Sequence, residues 1–285
     1  MTMVRSALAT AGSSLRLRDV PVYLSAAFLL LLVLLSVFAP FVAPYSPTDQ
    51  DMKAVLVPAS AEHFLGTDDL GRDVLSRLIH GAPLTLMGSF IAVGVACLIG
   101  VPVGLIAGFT GGWVDAVISR AIDTMLSFPA IVLAIAVTGV LGVGLVNSMI
   151  AIGIVFSPTI ARLMRGQTLI GRNALYVAAA RCFGASQFRL LAVHVLPNAI
   201  QPVIVQVTLL LPTALLAEAS LSFLGLGVQP PQPSWGAMLS RSFFYAGIAP
   251  SQMYAPGLAI LFTALSFNTL GEYIRVRLDP TMKSR

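Results

Sequence analysis

The chain has 285 residues, of which 57% are hydrophobic and only 10% charged, with a mean hydropathy of +0.89. That composition excludes an ordinary soluble domain and points to a protein that crosses the membrane several times. The net charge of +5 does not indicate nucleic acid, because the arginines sit beside apolar runs and are not interleaved with exposed aromatics.

Arg5, Arg16 and Arg18 precede a first apolar run from Val20 to Ala43. The run is too long for the core of a signal peptide, so it is predicted as an uncleaved first span behind an N-terminal segment, residues 1–19. Residues 44–83 form a loop holding Asp49, Asp51, Glu62, Asp68, Asp69 and Asp73. Asp68 or Asp69 is placed to cap a surface helix through His80 with Val74, Leu75, Leu78 and Ile79 on its apolar face. The Asp-x-Asp-x-Asp-Gly spacing of a calcium loop is absent from it.

Further apolar runs occupy 84–109, 119–141, 145–164, 199–220 and 254–273. Each approaches or exceeds the ~20 residues needed to cross ~30 Å of hydrocarbon. The predicted fold is therefore all-α with six transmembrane helices. The third and fourth runs are joined by a few Gly-rich residues and should form a tight hairpin. Gly88, Ala92, Ala96, Gly100, Gly104 and Gly108 recur every fourth position in the second run. Such a stripe lets another helix approach closely, from a second subunit or from this chain. Pro102, Pro158, Pro202 and Pro212 lie inside spans and can kink them.

Between the fourth and fifth runs lies a loop, 165–198. The window Arg162 to Pro197 carries Arg162, Arg165, Arg172, Arg181 and Arg189 and no acid. Asn173 can cap a helix over 174–183, Gly184 can break it by adopting φ > 0, and Ser186 can cap a second helix ending near Pro197. Arg120, Arg275, Arg277, Lys283 and Arg285 fall on the same side as this loop and the N-terminal arginines, against Lys53, Arg72, Arg77 and Arg241 opposite. That asymmetry predicts a cytoplasmic loop, both termini cytoplasmic, and a cytoplasmic tail, 274–285. The external loop 221–253 is rich in Pro and Gly, and Trp235, Phe243, Phe244, Tyr245 and Tyr254 suit the interfacial aromatic belt.

Chemistry is sparse. The lysines, Lys53 and Lys283, each follow Met, so no Gly-Lys-Ser/Thr phosphate loop exists and the chain has no such ATP site of its own. His63, His80 and His194 show no metal-ligand spacing, so no metal site is expected. Gly184-Ala-Ser186 with His194 has the outline of an intramembrane protease site but lies in a basic loop with nothing to shield it. Glu218 is the one acid deep in the later spans, where a carboxylate costs about 2.5–3.5 kcal/mol and normally faces protein or water.

Ala179-Ala180-x-x-x-Gly184 followed by Leu196-Pro197 resembles the EAA loop of permease subunits of bacterial ABC importers. Ala178 stands where that loop usually has Glu, and His194 where it usually has Ile. Ala217 to Gly236, Leu65 to Arg77 and Gly111-Gly-Trp-Val-Asp115 are similar to the dipeptide, oligopeptide and nickel branch, within it to the C-type subunit of a peptide importer. The resemblance runs from about Phe64 to Pro280.

It implies a type I importer core, 84–273, in the bacterial cytoplasmic (inner) membrane, with the first span outside that core. It implies a second, similar permease, two ATPase subunits that bind ATP and Mg, and an extracytoplasmic solute-binding protein; the chain itself has no cofactor and is not an enzyme. Ala179, Ala180, Arg181, Gly184, Ala185, Ser186, Arg189, Leu196 and Pro197 would meet the ATPase, Gly100, Gly104 and Gly108 would pack helices, and Glu218 is a candidate gate residue. Dipeptide, longer peptide and nickel complex all remain open as substrate. The alternative of a channel or ion-coupled carrier working without ATP expects paired ionisable groups at mid-membrane, where Glu218 stands alone.

Overall fold

The computed structural model describes residues 19–278, and every regular element in that range is helical. Lys283 and Arg285 of the predicted tail, and residues 1–18 of the N-terminal segment, lie outside it. Five helices are long and apolar enough to cross a membrane, and a bent pair counted together makes a sixth.

Helix α1, Val20–Val37, is followed by the short α2, Ala39–Val42. α1 rests on the last helix of the chain through an edge-on contact of Phe28 with Phe262, ring centroids 6.2 Å apart. α3 runs unbroken from Val74 to Thr110, about 55 Å at 1.5 Å per residue. The expected surface helix and second span are thus one helix, continuous through Pro83 and Pro102. Its cap is Asp73, which accepts from the Ser76 N–H at 2.7 Å. Asp68 instead binds Arg72, and Asp69 faces Arg241 at 3.2 Å, because both acids are turned into the folded segment before the helix.

The expected single span 119–141 is broken. α4, Gly112–Leu126, and α5, Ala130–Leu141, meet at 99°. Pro129 lacks an N–H and holds an extended ψ of 123°, and a proline disfavours helix at the residue before it, here Phe128. Gly142 and Gly144, with φ of 91° and 131°, then turn the chain tightly into α6, Leu145–Arg172.

α3 and α6 run parallel in close contact. A Cβ on Gly100 would lie 2.6 Å from the Ser157 carbonyl oxygen, and one on Gly108 would lie 2.7 Å from that of Arg165. One on Gly104 would collide with the Ala161 carbonyl. The small-residue stripe therefore faces this chain's own helix, which answers with Gly153, Ser157 and Ala161, also four apart.

After a short helical region, α9, Leu196–Phe223, runs back through the bundle. α10, Trp235–Phe243, lies between α9 and α11, Ser251–Leu278. Trp235 is only 1% exposed, and its indole donates to the Leu78 carbonyl at 2.9 Å. It is a core residue and not part of an aromatic belt, because α10 folds back onto the first turns of α3. Phe243, Phe244 and Tyr254 remain exposed.

Candidate functional site

The helical region between α6 and α9 occupies one end of the bundle. Asn173 closes α6, its amide donating to the Leu169 carbonyl at 3.1 Å, so it does not cap the next helix. α7, Leu175–Cys182, ends in a Schellman turn: the Ala185 N–H reaches the Ala180 carbonyl at 3.1 Å and the Gly184 N–H reaches that of Arg181 at 3.0 Å. Gly184 takes φ +80°, which the turn requires and a side chain disfavours. Ser186 then caps α8, Gln187–Arg189, accepting from the Arg189 N–H. A π-helical turn, Leu190–Val195, continues directly into α9, so Leu196 and Pro197 lie within one continuous run of helix.

This hairpin has two faces. Val177, Leu190 and Val195 are completely buried, and Ala180, Ala185 and Leu196 pack half-buried against the same core. On the other face Leu175 is 88% exposed, Phe183 92% and Phe188 78%. Ala179, Arg181, Gly184, Ser186, Arg189 and Pro197 are exposed around them. Arg181 and Arg189 form no ion pair among the described residues. An apolar centre with a basic rim, held rigidly from behind, has the makeup of a protein-docking surface.

Reading by residue type found the small and basic members of this surface and missed Leu175, Phe183 and Phe188. Their signal was present, since large apolar side chains in a short basic helical hairpin have only one buried face to share.

The remaining arginines of the basic window are committed elsewhere. Arg172 donates from Nη1 to the carbonyls of Gly108 and Phe109 at 3.0 and 3.1 Å, placing a cation on the C-terminal end of α3. Arg165 and Arg162 pair with Asp115 and Asp123 of α4.

Glu218 is fully buried inside the chain. Its Oε1 accepts from the Ser222 hydroxyl at 2.7 Å, and its Cγ lies against Gly88. Among the described residues no cluster of His, Cys, Asp and Glu has the makeup of a metal site.

Residues 100–284 match the family described as binding-protein-dependent transport system inner membrane component, and residues 18–59 match the N-terminal TM domain of oligopeptide transport permease C. The chain is 44% identical to the dipeptide transport system permease protein DppC of Alkalihalophilus pseudofirmus, over 88% of this chain and 83% of that protein. It is 45% identical to the di/tripeptide transport system permease protein DppC of Pseudomonas aeruginosa, over 90% and 87%. The glutathione transport system permease protein GsiD of Pectobacterium atrosepticum is 40% identical over 90% and 86%. In fold, the chain is similar to one from the inward-facing MetNI methionine ABC transporter, with TM-score 0.60 and 19% identity over 71% of this chain and 96% of that one. Matched along most of its length, the chain belongs to the binding-protein-dependent transport system inner membrane component family and is a multi-pass permease subunit of a bacterial ABC importer in the inner membrane.

Proposed function

We propose that this permease forms half of a pathway for di- or tripeptides and couples to an ATPase subunit through the hairpin 174–197. The peptide reading is supported by the names of its relatives, which are dipeptide, di/tripeptide and glutathione permeases. A second permease, two ATPase subunits and a binding protein complete the importer, with the hairpin and both termini in the cytoplasm. ATP hydrolysis belongs to the partner subunits.

The observation that carries the coupling role is the two-faced hairpin. Buried Val177, Leu190 and Val195 fix it to the bundle, and exposed Leu175, Phe183 and Phe188 offer an apolar knob. Because the π turn runs directly into α9, a push on the knob is delivered along a helix of the membrane domain rather than lost in a flexible linker.

The test is co-purification of the ATPase subunits with a Leu175→Asp, Phe183→Asp double variant. The expected result is an inserted permease that no longer retains them. Full retention with normal peptide uptake overturns the coupling assignment.

A further inference from the structure

A groove opens between the end of α4, α6 and α9, lined by Leu126, Thr159, Arg162, Gly166, Gln167 and Gln206. At its edge Arg162 donates from Nη2 to Asp123 Oδ1 at 2.5 Å, and both side chains are 57% exposed. That contact is the only hydrogen bond of either side chain among the described residues, so Asp123 Oδ2 and most of the guanidinium remain open.

Arg162 lies about 26 Å along α6 from Leu145 at 1.5 Å per residue. With Leu145 at one boundary of a ~30 Å hydrocarbon layer, Arg162 is still inside the other. Lipid cannot satisfy an exposed ion pair, two amides and a hydroxyl gathered on one groove; a water-filled path can. The sharp break between α4 and α5 begins beside it, at Leu126, and irregular backbone at membrane depth is tolerated where it lines such a path.

We infer that this groove is part of the peptide path, and that the Asp123–Arg162 pair receives the terminal charges of a short zwitterionic peptide. The peptide carboxylate takes the free edge of Arg162, and the ammonium takes Asp123 Oδ2. The chemistry is complementary: one open cationic edge and one open carboxylate oxygen sit together, and a free dipeptide carries one charge of each sign. Arg suits the first role because its planar fork holds a second carboxylate while keeping the first. This inference rests on the peptide reading above.

The probe is labelled dialanine, and the assay is uptake by the complete importer in proteoliposomes, alongside ATP hydrolysis stimulated by the binding protein. Arg162→Ala and Asp123→Ala are each expected to lower uptake about tenfold, the loss of one charge-assisted hydrogen bond, with stimulated hydrolysis kept. Arg162→Lys should recover part of the loss. Gly166→Trp should block uptake by filling the groove, since a Cβ there meets nothing within 4 Å and the backbone accepts a side chain.

A second readout does not depend on activity of the variants. The Gly166→Cys variant should react with a membrane-impermeant maleimide above the background of Cys97 and Cys182, and dialanine should protect it. Uptake at the parental rate in Arg162→Ala and Gly166→Trp, or no labelling at 166, overturns the inference and assigns the groove to lipid or a subunit contact. If the parental complex moves no dialanine, the peptide reading fails, and this inference with it.

Discussion

Arg165 and Asp115 meet edge to edge, with Nη2 to Oδ2 at 2.6 Å and Nε to Oδ1 completing a two-pronged pair between α6 and α4. The guanidinium is 32% exposed and the carboxylate 17%, so the pair is far better shielded than Arg162–Asp123. Asp115→Ala and Arg165→Ala should each destabilise the permease by about 1.5–3 kcal/mol, the range for hydrogen bonds to charged groups. Arg165→Lys should be intermediate because a point charge cannot make both contacts. Thermal unfolding in detergent checks this order. The same changes at Asp123 and Arg162 should cost at most about 1 kcal/mol.

The close approach of α3 and α6 sets a contrast between two glycines on one helix. A Cβ at Gly104 would collide with the Ala161 carbonyl, whereas one at Gly94 meets nothing within 4 Å. Gly104→Ala should therefore destabilise by about 1–3 kcal/mol through forced separation of the helices. Gly94→Ala should be neutral or slightly stabilising, as Ala is the better helix former by about 1 kcal/mol. Equal melting temperatures for the two variants would contradict the packing account.

Trp235 ties α10 to α3. Its indole donates to the Leu78 carbonyl, and its own N–H reaches the Thr85 hydroxyl at 3.2 Å. Trp235→Ala should cost about 3–5 kcal/mol, as expected for emptying so large a buried volume. Trp235→Phe should cost less, keeping much of the fill while leaving the Leu78 carbonyl without its indole donor. Differential scanning of the two variants gives the comparison.

Apolar runs made the helical class and the approximate spans legible, because burying backbone in lipid demands continuous helix. Hydropathy is blind to direction, so it could not show that the chain turns at Pro129 within the run 119–141. Nor could it show that Val74 to His80 continues into α3, since an amphipathic surface helix and the outer turns of a long span share one pattern. Trp235 was misplaced for a related reason: an aromatic beside a Pro-Gly loop fits a belt equally well until Leu78 is known to face it. The glycine stripe's partner could have been found, because Gly153, Ser157 and Ala161 repeat its spacing on α6. In the hairpin Gly184 and Ser186 were readable as turn and cap, whereas Asn173 closes α6 instead of capping α7. The large apolar side chains of the knob were visible in the sequence, but which of them face outward depends on Val177, Leu190 and Val195 meeting a core assembled from distant helices.

Gly184 separates conformational from docking effects within that hairpin. Its φ of +80° closes the Schellman turn, and a Cβ there would touch nothing within 4 Å. Alanine should therefore bring only backbone strain, about 1–2 kcal/mol, and leave the knob accessible. Tryptophan adds the same strain and places a large side chain beside exposed Phe183, where a docking partner would have to seat. Gly184→Ala should retain most uptake, whereas Gly184→Trp should remain inserted and folded but lose the link between ATP hydrolysis and transport. Measuring both rates in one set of proteoliposomes decides the matter. Normal coupled transport by Gly184→Trp would remove the hairpin from the drive mechanism, and equal losses in both variants would assign the effect to strain in the turn.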